Sequence, residues 1–320
     1  MPLEDTTSRQ KFEARAARRG VHAFVILLLI SAVGCSSCSS DKETRSKEPH
    51  PAAEKYLEDA RTKLDANKYT EARALIELAE DEFEDDQRDD GARPEDKLTA
   101  LLKAELERGV AKDARDSGEL DRAYEHFKKA AEHEPIPETR FEDLMAAIEA
   151  GRAVGILPAD LAPMASQAVE LKTNSRPAQQ AAAKLWDDAG QADRALPYYQ
   201  WLYKVDPDDN AVAVRLGNIY LSEVQLSNAR RIFEKLLADE PDHVIAALKL
   251  ADIYARLDSH DKARDVYEEL VEAHPKRAGV LMRYANYLDK RGEKSRAKEL
   301  RQRARDARPS VKKREMRELR

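Results

Sequence analysis

A period of 34 residues governs most of this chain. Pro207, Pro241, Pro275 and Pro309 recur at that interval, and so do Ala195, Ala229, Ala263 and Ala297. Proline ends a helix because it has no amide hydrogen to donate and its ring collides with the preceding turn. A small residue in helical register lets two helices approach closely. Between the prolines, Leu216 and Tyr220 share one helical face, and Ala229, Phe233 and Leu236 share another. Each unit therefore reads as two amphipathic helices joined by a turn. A single hairpin of that kind cannot bury its apolar face alone, so neighbours must stack.

The composition supports helix throughout. Ala, Leu, Glu, Lys and Arg dominate, with 36% charged residues, 6% aromatics and 11 glycines. The hydrophobic fraction of 42% suffices for a core. The only cysteines are Cys35 and Cys38, so no disulfide framework holds the fold.

Residues 210–243 carry Leu216-Gly217-Asn218-Ile219-Tyr220, then Ala229, Phe233, Leu236 and Pro241. This unit resembles the tetratricopeptide-repeat family, whose pattern is Leu-Gly-x-x-Tyr, Ala, Phe, Ala, Pro. Leu236 stands where the family has a small residue. Units 176–209, 244–277 and 278–311 repeat the pattern, and 104–137 and 53–86 repeat it in part, with Gly118, Ala123, Phe127 and Pro135 in the one and Tyr69, Ala72 and Ile76 in the other. Residues 138–175 fit after an insertion of about four residues, with Gly155, Pro158 and Pro163 disturbing the join. The resemblance implies an all-α solenoid of about seven helical hairpins over 53–311. Residues 312–320 are expected to extend the final helix as a basic C-terminal cap over the last repeat, with Met316 facing in.

The N-terminus has the order of an export signal. Arg9, Lys11, Arg15, Arg18 and Arg19 precede the apolar run Val21–Val33. As a helix that run spans about 20 Å, short of the roughly 30 Å hydrocarbon core of a bilayer. Ala32-Val33-Gly34-Cys35 resembles the lipobox of bacterial lipoproteins. That resemblance implies a signal peptide over 1–34, a lipidated Cys35 as first mature residue, and a flexible tether over 35–52. Ser36, in place of an Asp, favours the periplasmic face of the outer membrane over the inner membrane. An uncleaved inner-membrane signal anchor is the other reading of the same segment. Cys35-Ser-Ser-Cys38 also has redox spacing, but no strand precedes it.

The sequence offers no constellation for catalysis. Its seven histidines include no H-E-x-x-H pair, and neither a nucleophile elbow nor a phosphate-binding glycine loop occurs. No enzyme activity, cofactor, metal or small-molecule substrate is expected. Residues 77–97 hold eleven acids, and residues 278–320 hold fifteen Lys/Arg against six acids. The basic end lacks aromatic interleaving, so nucleic acid is not the expected partner. In the repeat family, polar residues on the first helix of each hairpin contact extended peptides. The matching residues here are Arg215, Asn218, Lys249, Asp252, Arg283 and Asn286, a ladder suited to backbone carbonyls or a carboxylate. Tyr198, Trp201 and Tyr203 are candidate interface aromatics. The expected function is an envelope scaffold for protein partners, assisting assembly of an outer-membrane complex such as a secretin. The alternative is an inner-membrane adaptor in polysaccharide export or envelope quality control.

Overall fold

The computed structural model describes residues 51–84 and 94–307. The signal peptide, Cys35, most of the tether and the C-terminal segment 312–320 lie outside the described residues. Those described form fourteen α-helices: α1 (Pro51–Asp65), α2 (Tyr69–Glu84), α3 (Pro94–Asp116), α4 (Leu120–His133), α5 (Pro137–Ala153), α6 (Pro158–Leu171), α7 (Arg176–Asp188), α8 (Ala192–Val205), α9 (Asn210–Ser222), α10 (Leu226–Asp239), α11 (Val244–Arg256), α12 (His260–Ala273), α13 (Ala278–Lys290) and α14 (Lys294–Asp306). Each helix packs on the next, giving seven hairpins stacked in chain order. This is the all-α hairpin solenoid that the period predicts.

The turn inside every hairpin is built the same way. Two places beyond the first helix stands a residue in the left-handed region: Asn67, Gly118, Gly155, Gly190, Val224, Asp258 or Gly292. The amide of the following residue then donates to a carbonyl five residues back. Gln191 bonds Trp186 at 2.9 Å, Gln225 bonds Tyr220 at 2.8 Å and Glu293 bonds Leu288 at 2.9 Å. This closure satisfies carbonyls that the helix end leaves free. Gly155, at φ +82, is one of these residues and not a disturbance.

The inserted residues of the third hairpin lie in α5 and its turn. α5 has 17 residues where α7, α9, α11 and α13 have 13. Pro158 opens α6, where its missing amide hydrogen is not needed. Pro163 lies within α6 as Pro197 lies within α8, and both face solvent.

Between hairpins, prolines 207, 241 and 275 follow the second helices, and the residues before them have left the helical region. Ser175, Asp209 and His243 then cap α7, α9 and α11 with side-chain acceptors.

One apolar body runs through the stack from Ala111 to Ala304, and a smaller one joins α1, α2 and the first half of α3. Gly217 permits the closest helix contact predicted from the sequence. A β-carbon there would lie 2.6 Å from the Phe233 ring. The second apolar body explains why α3 is long. It starts ten residues ahead of the unit expected at 104, and its early residue Leu102 covers the first hairpin.

Polar groups separate the two bodies. Glu107 on α3 is buried and takes Arg73 from α2 at 2.8 Å and the ring of His126 from α4. The next residue, Arg108, grips both oxygens of Asp143 at 2.8 Å and also holds Glu134. Glu134 and Asp143 are each only 2% exposed. Burial works against the Arg108 charge, but the two carboxylates outweigh it and hold the guanidinium above its ordinary pKa. Burial likewise pushes the Asp143 carboxyl up, against the pull of Arg108.

The last helix closes the stack. Ala297, Leu300 and Ala304 of α14 are buried, while Lys294, Lys298, Gln302 and Arg305 are exposed. The described end is thus already polar, as a terminal repeat requires.

Two substitutions test these assignments. Val224 is β-branched, has φ +58 and is 66% exposed, so its side chain supplies strain and little packing. Val224→Gly is expected to stabilise the protein by about 0.5–1 kcal/mol, seen as a higher urea midpoint. Arg108→Ala leaves two buried carboxylates unpaired and is expected to destabilise by about 3–5 kcal/mol at neutral pH. Burial already raises the Asp143 carboxyl, and without Arg108 its largest offset is lost, so the penalty shrinks as pH falls and Asp143 protonates. A loss of stability that is the same at neutral and acidic pH would contradict this account.

Candidate functional site

The six residues expected to line a peptide groove have different surroundings. Arg283 pairs with Asp252 at 2.6 Å, and Asp252 also accepts from the Tyr267 hydroxyl at 2.7 Å. Arg215 is exposed and lies 3.5 Å from Asp187. Asn286 accepts a long contact from Arg301 at 3.4 Å. Lys249 is half-buried and forms no ion pair among the described residues. The Asn218 side-chain oxygen is buried without a hydrogen-bond partner. Phe233 explains part of this: it stands 34 residues before Tyr267 and has no hydroxyl to offer. Much of the expected ladder therefore ties one repeat to the next.

A second ladder runs beside it that sequence reading did not single out. Ser166, Gln200, Glu234 and Glu268 recur at the 34-residue period on second helices. Each bonds an aromatic side chain on the first helix of the following hairpin. Trp186 Nε1 donates to Ser166 at 2.9 Å, and Gln200 donates to the Tyr220 hydroxyl at 3.1 Å. Tyr254 donates to Glu234 at 2.7 Å, and Tyr284 donates to Glu268 at 3.0 Å. The signal was present: Trp186, Tyr220 and Tyr254 are themselves 34 apart. Burial and then the Glu234 carboxylate push the Tyr254 phenol up to about 12. Burial and then Glu268 push Tyr284 up to about 12.

The candidate interface aromatics sit partly within this packing. Tyr198, Trp201 and Tyr203 are half-buried against the core, and the Tyr198 hydroxyl bonds Ser166 at 2.9 Å.

The hollow on the first-helix side lies upstream of the expected groove. It measures about 930 Å3 and is bordered by α5, α7 and α9, with Tyr199 and Leu202 of α8 also lining it. Phe141, Met145 and Ala146 line it from α5, Ala181 from α7 and Val212 from α9. Arg215 is the one expected groove residue that reaches it. Charges divide by side: Glu142 and Glu149 stand on α5, Lys184 and Arg215 on α7 and α9. Arg152 lies in the last turn of α5, and Asp209 is held by Arg176 at 3.2 Å. Ala181 is small and buried, and Arg215, Lys249 and Arg283 follow it at successive 34-residue steps. That substitution is legible only once the hollow is known to matter.

Among the described residues, no group of three or more His, Cys, Asp or Glu is placed to hold a metal. No described helix is long and apolar enough to cross a membrane.

The tetratricopeptide-repeat family model matches residues 181–229 and 225–278. No curated protein matches the chain. Among solved structures, a MamA protein is 19% identical over 55% of this chain and 94% of its own, with a TM-score of 0.43. YrrB, described as a TPR protein with an unusual peptide-binding site, is 19% identical over 55% of this chain and 87% of its own, with a TM-score of 0.43. MamA from Desulfovibrio magneticus is 22% identical over 53% of this chain and 94% of its own, with a TM-score of 0.40.

The phenol ladder has a consequence in alkali. The folded pKa of Tyr254 and Tyr284 lies above the unfolded value of 10.0. The stability they confer is complete below pH 10 and declines as pH rises from about 10 to about 12. Denaturant midpoints are expected to fall across that window, with phenolate absorbance appearing together with unfolding. Glu234→Gln removes the charge beside Tyr254 and is expected to lower that phenol's pKa.

Proposed function

We propose that this chain, a member of the tetratricopeptide-repeat family, is a non-catalytic adaptor that holds protein partners at the bacterial cell envelope. The observation that carries the reading is the hollow between three successive first helices, α5, α7 and α9. Its floor is apolar and its charged groups stand at the sides, the composition of a protein-docking surface more than of a reaction site. Arg283 and Asp252 of the expected groove hold each other, and Arg215 alone of that set reaches the hollow.

The envelope placement rests on the sequence of the N-terminus. The basic leader, the apolar run Val21–Val33 and Cys35 form an export signal with a lipidation site. Several acyl chains make such an anchor effectively permanent, since each buried methylene contributes about 0.8 kcal/mol. Ser36 directs the tethered body to the periplasmic face of the outer membrane. A scaffold there is suited to helping assemble an outer-membrane complex such as a secretin. An inner-membrane adaptor follows if the apolar run is retained.

Two measurements test the proposal. Cys35→Ala is expected to abolish acyl labelling and release the protein from the membrane fraction. Unchanged fractionation would assign the tether to the apolar run itself. A photo-crosslinking residue at position 181, in cells, is expected to trap envelope proteins, and the same residue on the solvent face at Lys129 is not. Equal trapping at both positions would remove the hollow from the function.

A further inference from the structure

We propose that the outer face of the last hairpin is a second membrane contact: the cations Lys294, Lys298, Arg301 and Arg305 of α14 lie against the anionic headgroups of a phospholipid bilayer. The inference goes beyond the adaptor reading and does not draw on the hollow.

Helical spacing builds the stripe. Residues 294, 298, 301 and 305 follow one another at steps of four, three and four, so they share one face over about 16 Å of helix. In earlier hairpins this face receives the next unit. The residues 34 places before are His260, Arg264, Tyr267 and Val271. Tyr267 stacks on Tyr284 of the last hairpin, with centroids 5.2 Å apart, and Arg264 bonds Glu293 there at 3.2 Å. One unit further back stand Leu226, Arg230, Phe233 and Leu237, with Phe233 fully buried. In α14 all four places are cations, and no described hairpin follows it.

The charge exceeds what a terminal repeat requires. Such a repeat needs a polar outer face, which residues of either sign supply. Lys294, Lys298 and Arg305 form no ion pair among the described residues, and neither do the exposed Lys290 and Arg291 at the adjoining turn. The nearby acids do not cancel the stripe. Asp289 takes Arg301 at 2.9 Å, and Glu293 is held by Arg264. Glu299 and Asp306, the acids within α14, lie at other angles of the helix. Residues 312–320 add five Lys/Arg against two Glu, so the chain's own end brings further positive charge.

The composition of the face selects the partner. Protein interfaces draw their energy from buried aromatic and aliphatic anchors, and lysine is depleted at their centres. No apolar residue is exposed on α14. A second copy stacking end to end would bring up α1, which exposes Glu54, Lys55, Glu58 and Asp59, charges of both signs. A bilayer asks for neither apolar anchors nor a fixed register. Its headgroup phosphates are closely spaced, and each Lys or Arg near an anionic surface strengthens the attachment.

The test seats the full-length chain, by its N-terminal apolar segment, in nanodiscs of neutral phosphatidylcholine. These are mixed with vesicles of phosphatidylcholine, with or without phosphatidylglycerol, and sedimented. The protein is expected to bind the anionic vesicles about tenfold more strongly than the neutral ones, and to be released by high salt. The triple variant Lys294→Glu, Lys298→Glu, Arg305→Glu is expected to lose that preference, and the corresponding glutamine triple to lose part of it, both with unchanged thermal melting. Reversing three exposed cations elsewhere, Lys129, Lys204 and Arg231, is expected to leave most of the preference intact. No preference for anionic vesicles, or equal loss in the two reversed triples, would overturn the inference. Retention on soluble polyglutamate without vesicle binding would overturn it in favour of an acidic protein partner. Vesicle binding without crosslinking at position 181 would leave this inference standing and remove the hollow alone.

Discussion

Every hairpin in this protein buries its apolar face against another hairpin, and the rest of the structure follows from that dependence. Residues such as Tyr267, Phe233 and Leu281 are almost fully buried, but each belongs to a helix that would expose it if the neighbour were removed. Burying a large apolar side chain contributes about 1.5–3 kcal/mol, so the stack is worth far more than any one hairpin. Stacking works only if successive units present the same faces. That requirement accounts for the seven left-handed turn residues, which stand in the same place whether they are Gly, Asn, Asp or Val. At Val224 the demand for the turn outweighs the strain of a β-branched residue.

Polar contacts refine the stack without driving it. The ladder from Ser166 to Glu268 bonds each second helix to an aromatic of the next hairpin, and the last rungs end in stacked rings, with Tyr267 and Tyr284 centroids 5.2 Å apart. Near the N-terminal end, ion clusters around Glu107 and Arg108 take the place of apolar contact. Such buried charges stabilise little beyond what apolar residues would, but removing one member is severe. They fix the register where the apolar core is interrupted.

Much of this was legible in advance, for identifiable reasons. The prolines and alanines at 34-residue spacing located the hairpins because their effects, ending a helix and permitting close approach, act within a few residues. Gly217 was recognisable as a contact point for the same reason. Gly155 was misread as a disturbance because it fell in a unit whose first helix is a turn longer, which moved it out of phase. The left-handed residue Val224 carried no sign of its conformation, whereas Asn67 and Asp258 are of types that tolerate it. The ligand surface was expected between Arg215 and Asn286 because those residues match a pattern of polar positions, and a pattern does not say which of them already hold one another.

The sequence by itself determined the repeat, the helical class, the turn positions and the faces that must be buried. These depend on periodicity and on local backbone chemistry, which repetition averages and makes plain. Only the tertiary structure decided that Arg283 and Asp252 bind each other, that aromatic residues bond the second helix of the preceding hairpin, and that a hollow lies between α5, α7 and α9. Those outcomes turn on single side chains meeting across different helices. One phenylalanine in place of a tyrosine at position 233 leaves an asparagine oxygen without a partner. Distances between side chains on neighbouring repeats are properties of the stack, and no single unit of the sequence contains them.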